Sequence, residues 1–379
     1  MSDSETGYEL PAELWERVLS PALVVYLDRV RGNVRTVIAE AGGTDRWRPH
    51  IKTTKIPAVF RELCTEGIRN FKCATTREAQ ELLTVLSAES VSGADLLVAY
   101  PLPAPALARM ATLASEFEDV RISVLAEDPD AVASIPENLG VFVDVNPGMH
   151  RTGVPAQDFE TILGVATRAG SRFRGVHYYD GHLHQDDQEE RRKLAFECYD
   201  LLMHLVEKLE AAGVEVGELI TSGTPSYRHA LAYPGFQQRA QTIHRISPGT
   251  VVYHDLRSEE LDPNSGLRPA ALVHARVIST PNAHTITCDA GSKSVAAEAG
   301  DPVAQVIGRP NLLARTPSEE HLPLEILDRP APRRGECVQL FPRHICPTVN
   351  LADEAILMDG SEFIGVVSVS ARAHDLLFE

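Results

Sequence analysis

Between residues 47 and about 255 the chain alternates short apolar, often β-branched runs with longer amphipathic ones. WRPHIK, NFKCAT, DLLVAYP, RISVLAE, GVFVDV, FRGVHYYD, ELITSG and HRISPGTVV read as strands. Between them TREAQELLTVLSAE and PAPALARMATLASEFED read as helices. The clearest helix is DDQEERRKLAFECYDLLMHLVEKLEAAG, with Leu194, Cys198, Leu201, Leu205 and Leu209 at helical spacing and Gly213 where such a helix stops. Eight strands alternating with helices predict an α/β fold of the (β/α)8 TIM-type barrel kind, and the same alternation also permits a doubly wound open sheet.

The pattern changes after residue 260. ALVHARVIST, HTITCDAGSK, CVQLFP and FIGVVSVSARA alternate as antiparallel strands do, between turn-rich stretches. The expected organisation is a barrel over residues 21–258 and a C-terminal antiparallel β domain over residues 259–379, joined by residues 1–20. The early run PALVVYLD either starts the barrel or pairs with the β domain.

Composition narrows the classes of function. The chain has 379 residues, more than a single core usually serves, and a formal charge of −17 that argues against nucleic-acid or anionic-membrane partners. The opening MSDSETGYELPAELWERVLS lacks the basic-then-apolar pattern of a signal peptide. No apolar run approaches the ~20 residues of a membrane span. Six cysteines without CxxC pairing read as reduced thiols in a cytoplasmic protein.

In a barrel the chemistry gathers where the strands end, and three groups of residues stand out there and beyond. RPHIKTTK, residues 48–55, brings His50, Lys52 and Lys55 together. A lysine at a strand end is commonly just solvated; the functional alternative is a Schiff-base lysine activated by burial and neighbouring cations. SGTPS (222–226) and SPGT (247–250) follow the seventh and eighth strands with small residues, hydroxyls and backbone N–H groups, which is what a phosphate needs. Ser222, Gly223, Thr224, Gly249 and Thr250 are the candidate phosphate ligands. HICPTVNL, residues 344–351, sets His344 and Cys346 two apart. On an extended segment both point to one side, so imidazole and thiolate can share one metal ion; an isolated pair of this kind is more often a buried cysteine beside a hydrogen-bonded histidine.

Taken in order, RPHIKTTK, KCATTREAQELL, GADLLVAYP, VDVNPGMHRTGV, SGTPS, SPGT, DAGSK and HICPTVNL give a specific match. From residue 21 nearly to the C-terminus the chain resembles the D-serine dehydratase and D-threonine aldolase family of fold-type III pyridoxal-phosphate enzymes. The resemblance implies an alanine-racemase-like barrel with a C-terminal β domain, a pyridoxal 5'-phosphate cofactor and a divalent metal. Lys52 takes the place of the first lysine of the family's PHxKTHK motif, with His50 beside it and with Thr54 standing where the family has a second histidine. Arg151 matches the arginine near the cofactor's phenolic oxygen. Tyr179 falls where a residue contacts the pyridine nitrogen, and Tyr178 is its near rival.

The implied activity is a metal-assisted lyase acting on small D-3-hydroxy amino acids, with Lys52 and Arg151 as catalytic residues and His344 and Cys346 holding the metal. His-x-Cys resembles the D-serine dehydratase type, whereas the better-known D-threonine aldolases resemble His-x-Asp. A thiolate favours zinc and a carboxylate favours manganese or magnesium. The expected reaction is therefore dehydration of D-serine or D-threo-3-hydroxyaspartate, with retro-aldol cleavage to glycine and an aldehyde as the alternative. A non-catalytic pyridoxal-phosphate-binding regulator is the alternative of another class. The resemblance also implies a homodimer.

Overall fold

The structure is a computed structural model that describes residues 7–8, 10–239 and 241–377; the sequence readings that touch residues 1–6, 9, 240, 378 and 379 lie outside the described residues. The chain forms two compact units that interleave in sequence. One comprises residues 36–52, 63–249 and 373–379, the other residues 1–35, 53–62 and 250–372. The straight division at residue 258 differs from these units. The early run shows why: Ala22–Tyr26 pairs antiparallel with Ala271–Asn282 and parallel with Glu354–Asp359, so it belongs to the second sheet.

The first unit is the barrel. Asn70–Cys73, Asp95–Val98, Arg121–Ala126, Gly140–Asn146, Phe173–Tyr178, Glu218–Thr221 and Ile243–Ile246 pair in parallel in that order. Residues 47–51 supply the eighth stave. Trp47 bridges Ile246 and His50 bridges Lys72, with Arg48 donating to the Ile246 carbonyl at 2.9 Å and Ile51 to that of Lys72 at 2.8 Å. Pro49 has no N–H to donate and offers only its carbonyl, to Lys72 N at 3.0 Å, which leaves this stave as bridges and not a full ladder. An open doubly wound sheet is thereby set aside.

Period-two alternation decides which side chains point inward. At the N-terminal end Arg48, fully buried, donates through Nε and Nη2 to Glu218 at 2.9 and 3.0 Å and through Nη1 to Asp95 at 2.9 Å. One layer up Leu97, Leu125, Phe142 and Ile220 pack into a small apolar plug. Removing the arginine would take the fully buried partner from two buried carboxylates, leaving Asp95 to Arg121 and Arg174 and Glu218 to Arg245. Arg48→Leu is therefore expected to destabilise the chain by about 3–5 kcal/mol, read as a lower urea midpoint. Burial works against the Asp95 carboxylate, but Arg48 and Arg121 outweigh it and hold its pKa below the ordinary value. A depressed carboxylate pKa contributes stability that is present above about pH 4 and lost as the pH falls through the folded value. The wild type should accordingly lose more stability below pH 4 than Arg48→Leu does.

The clearest predicted helix forms over Gln188–Ala211, with Gly213 at φ +82° just past its end. Its buried stripe is Arg191, Ala195, Tyr199, Leu202, Leu205, Val206 and Leu209. The expected stripe lay one position round the helix: Leu205 and Leu209 are shared, but Leu201 is 48% exposed.

In the second unit Ala271–Asn282, Thr285–Cys288, Leu322–Ile326, Leu312–Ala314, Ala304–Val306 and Cys337–Pro342 close into an antiparallel six-stranded barrel. Its interior is filled by Val277, Ile286, Leu312, Leu322, Leu324 and Leu340, among others. Ala22–Tyr26, Glu354–Asp359 and Glu362–Ser368 extend the sheet outward from Ala271–Asn282.

Candidate active site

Inward parity in Phe173–Tyr178 gives Gly175 and His177, and one residue beyond the strand it gives Tyr179. Tyr178 points outward, is fully buried, and donates to the Cys198 carbonyl at 2.9 Å. Tyr179 is thus the one of the two neighbours that faces the barrel mouth. Its ring gathers three cations: the Arg151 guanidinium at 5.0 Å, Lys72 Nζ at 5.4 Å and Lys52 Nζ at 6.0 Å from the centroid. At those distances the quadrupole of the ring partly offsets their mutual repulsion. Two glycines make room for it, since a Cβ on Gly181 would lie 2.3 Å, and one on Gly223 3.1 Å, from ring carbons.

Lys52 sits on the turn that follows the eighth stave, and its backbone N–H donates to His50 Nδ1 at 3.3 Å. His50 is buried and shapes that turn. The third cation of RPHIKTTK is used elsewhere: Lys55, at φ +53°, donates to the Ala371 carbonyl at 3.3 Å. Gly249 is fixed by close approach, because a Cβ there would lie 2.2 Å from the His50 carbonyl oxygen.

The loop after Glu218–Thr221 has the form of an anion cradle. Ser222 is fully buried at φ +64°, and among the described residues its hydroxyl has no partner. A buried hydroxyl without a partner is costly unless something else satisfies it. Gly223 N–H, counted above as a phosphate donor, instead donates to Asp180 Oδ1 at 3.2 Å. Thr224 is half-buried on the same loop. Thr250 opens the 3₁₀ turn Thr250–Val252, and its hydroxyl lies 3.3 Å from Cys346 Sγ.

Sequence reasoning missed Lys72, Asp144, His177 and Asp180. Lys72 is buried; desolvation first, and then the charges of Lys52 and Arg48, bring its pKa well below the ordinary lysine value. His177 Nδ1 and Asp144 Oδ1 are 2.7 Å apart, and His177 Nε2 has no partner among the described residues. Burial lowers the His177 pKa despite Asp144. Lys72, Asp144 and His177 lie on strands at inward parity, so register would have found them once the strands were placed, whereas Asp180 lies two residues past its strand at the opposite parity.

His344 and Cys346 do not lie on an extended segment. His344 is the N-cap of the helix Ile345–Leu351, and Cys346 is its second residue. The two still meet, because the imidazole is within hydrogen-bonding reach of the thiol. Burial works against the charged ring, but Cys346, Asp255 and Glu298 push its pKa up to about 9. Glu298 Oε1 lies 2.5 Å from Nδ1, which leaves the other nitrogen for a ligand, the usual way a carboxylate orients a metal-binding histidine. Cys346 Sγ also lies 3.0 Å from the Thr53 hydroxyl. Among the described residues no third histidine, cysteine or carboxylate joins the pair. The donor set therefore suits an ion completed by water or substrate.

Two family models cover most of the chain: "Alanine racemase, N-terminal domain" over residues 25–256 and "Putative serine dehydratase domain" over residues 270–358. A D-threonine aldolase from Arthrobacter sp is 25% identical over 376 residues, covering 96% of this chain and 95% of its own. A D-threo-3-hydroxyaspartate dehydratase from Delftia sp. (strain HT23) is 24% identical over 379 residues, covering 90% and 95%. The crystal structure of D-threonine aldolase from Filomicrobium marinum superposes with a TM-score of 0.82 at 25% identity, covering 94% of this chain and 96% of its own. The barrel closed at residues 47–51, the six-stranded second unit and these matches together place the chain in the alanine-racemase-like, fold-type III pyridoxal-phosphate family of D-serine dehydratases and D-threonine aldolases.

Proposed function

We propose that this chain is a pyridoxal-phosphate- and divalent-metal-dependent lyase for D-3-hydroxy amino acids, acting as a dehydratase on D-serine or D-threo-3-hydroxyaspartate. The observation that carries the reading is the convergence of Lys52, Lys72 and Arg151 on the Tyr179 ring, on the same barrel as a Ser222 hydroxyl left without a partner. An anionic, planar group with a phosphate satisfies the cations and the hydroxyl at once.

When bound, pyridoxal phosphate supplies an electron sink for whichever bond to Cα breaks, and a divalent ion supplies a Lewis acid for the β-hydroxyl. The chain's own residues do the rest. Lys52 would hold the cofactor, and its free amine would be the base at the Cα proton. Arg151 would orient the cofactor, and the Ser222 hydroxyl would be free to donate to its phosphate. Tyr179 would offer the pyridine nitrogen a neutral phenol and not a carboxylate. Loss of the Cα proton and of hydroxide at Cβ amounts to loss of water; hydrolysis then releases ammonia and a 2-oxo acid.

The second reading is retro-aldol cleavage, favoured by the likeness to the two aldolases. It requires a base at the β-hydroxyl and yields glycine and an aldehyde. His-x-Cys keeps dehydration first, because a thiolate selects zinc over the harder ions. An assay of D-serine, D-threonine and D-threo-3-hydroxyaspartate with zinc, manganese and magnesium in turn decides between them. Ammonia as the main product supports dehydration, and glycine with aldehyde overturns it in favour of the aldolase. Only D-substrates are expected to react; equal rates with L-serine or L-threonine would sink the assignment.

A homodimer fits the apolar edge strand Glu362–Ser368, where Ile364 and Val366 are 49% and 56% exposed. Six free cysteines fit a reducing, cytoplasmic setting. No helix among the described residues is long and apolar enough to cross a membrane.

A further inference from the structure

Asp180 is a buried group in the barrel that the proposed reaction leaves unused. It is fully buried, follows Tyr179 directly, and accepts three hydrogen bonds. Tyr199 Oη donates to Oδ2 at 2.6 Å, while Ser226 Oγ at 2.7 Å and Gly223 N–H at 3.2 Å both donate to Oδ1. Ser226 also receives Gly223 N–H at 3.3 Å. Two of these donors belong to the loop that carries Ser222, and the third belongs to the buried face of Gln188–Ala211.

The arrangement has an energetic logic. A non-glycine residue at positive φ is strained and persists only where its surroundings over-determine it. Ser222 is such a residue, and the one after it is clamped by Asp180 through both its own N–H and Ser226. Burial raises the Asp180 pKa, and the three donors work against that rise. Among the described residues the Ser222 hydroxyl has no partner, and it stands on the same barrel as Lys52.

We propose that Asp180 is a positioning residue for an anion-binding loop: it holds Ser222–Ser226 in the strained form that receives the phosphate of the cofactor. The inference rests on the cofactor reading above, and it does not require Asp180 to touch the cofactor. It implies that Asp180 matters for phosphate-bearing ligands and not for their aromatic part.

The test titrates apo-protein with pyridoxal phosphate and with pyridoxal, following absorbance and Tyr and Trp fluorescence. Asp180→Ala should weaken pyridoxal phosphate about tenfold or more and pyridoxal less than about twofold. Asp180→Asn should restore most of the difference, because its carbonyl oxygen still accepts from Gly223 N–H and Ser226 Oγ. Ser226→Ala, which removes one arm and keeps the carboxylate hydrogen-bonded, should show the same selectivity at smaller size, and it decides the matter if Asp180→Ala does not fold. Equal weakening of both ligands, or no weakening of either, in a folded variant overturns the inference. If the wild type prefers pyridoxal phosphate and the variants keep that preference, the inference fails alone. If the wild type binds neither ligand, the cofactor reading fails and the inference with it.

Discussion

Lys52→Ala is expected to lower turnover of every D-3-hydroxy amino acid by on the order of a thousandfold or more, because in the proposed mechanism the same amine holds the cofactor and moves the Cα proton. The fold should survive. Lys52 lies half-buried on a turn, and what organises that turn is its backbone N–H to His50, which alanine retains. Circular dichroism and the urea midpoint should therefore match the wild type. Lys55→Ala is the informative companion. Its ammonium donates to the Ala371 carbonyl in the β unit, so its loss should cost stability and leave the chemistry in place. Activity lost equally in both variants would mean that the motif acts as a structural unit and that Lys52 has no special role.

Chelation is expected to abolish turnover while leaving the cofactor's absorbance intact. The physical ground is that His344 and Cys346 belong to the β unit, whereas Lys52, Arg151 and Tyr179 belong to the barrel. Cys346→Ala should weaken the ion by more than about 100-fold, since loss of an outer-shell partner alone costs about 10–100-fold. Glu298→Gln, which keeps a partner on His344 Nδ1 but removes its charge, should fall within that lower range. Cys346→Asp should move preference from zinc towards manganese or magnesium by ligand hardness and, if the ligand decides the reaction, shift product from ammonia to glycine. Full activity in chelator, with no ion at stoichiometric occupancy, would return the pair to a hydrogen-bonded histidine beside a half-buried cysteine.

Much of the barrel was legible because each strand carries its own signal. NFKC, RISVLA and GVFVDVN are compact β-branched or aromatic runs bounded by turns, and they form strands over nearly the expected residues. What was not legible depends on closure. Lys72 reads as an ordinary charge within NFKC until residues 47–51 pair with it and turn it inward beside Lys52. Asp144 and His177 lie 33 residues apart and become a pair only across neighbouring strands. Ala304–Val306 and Leu312–Ala314 are too short for alternation to register, and they are strands because they complete a ring. The His344–Cys346 segment was placed on a strand although Pro347 stands in the first turn of a helix, a position that proline favours and that the sequence displayed. The buried stripe of Gln188–Ala211 was misplaced because Tyr199 and Ala195 face inward, where the run of leucines had suggested a neighbouring line.

The measurement closest to the central claim is borohydride reduction of the protein loaded with pyridoxal phosphate, followed by peptide mapping. Reduction makes the link between cofactor and lysine permanent, so the adduct marks the amine that holds it. A single adduct on Lys52 is expected, with Lys72 unmodified although it stands 5.4 Å from the same Tyr179 ring centroid. An adduct on Lys72 or Lys55, or none on any lysine, would contradict it.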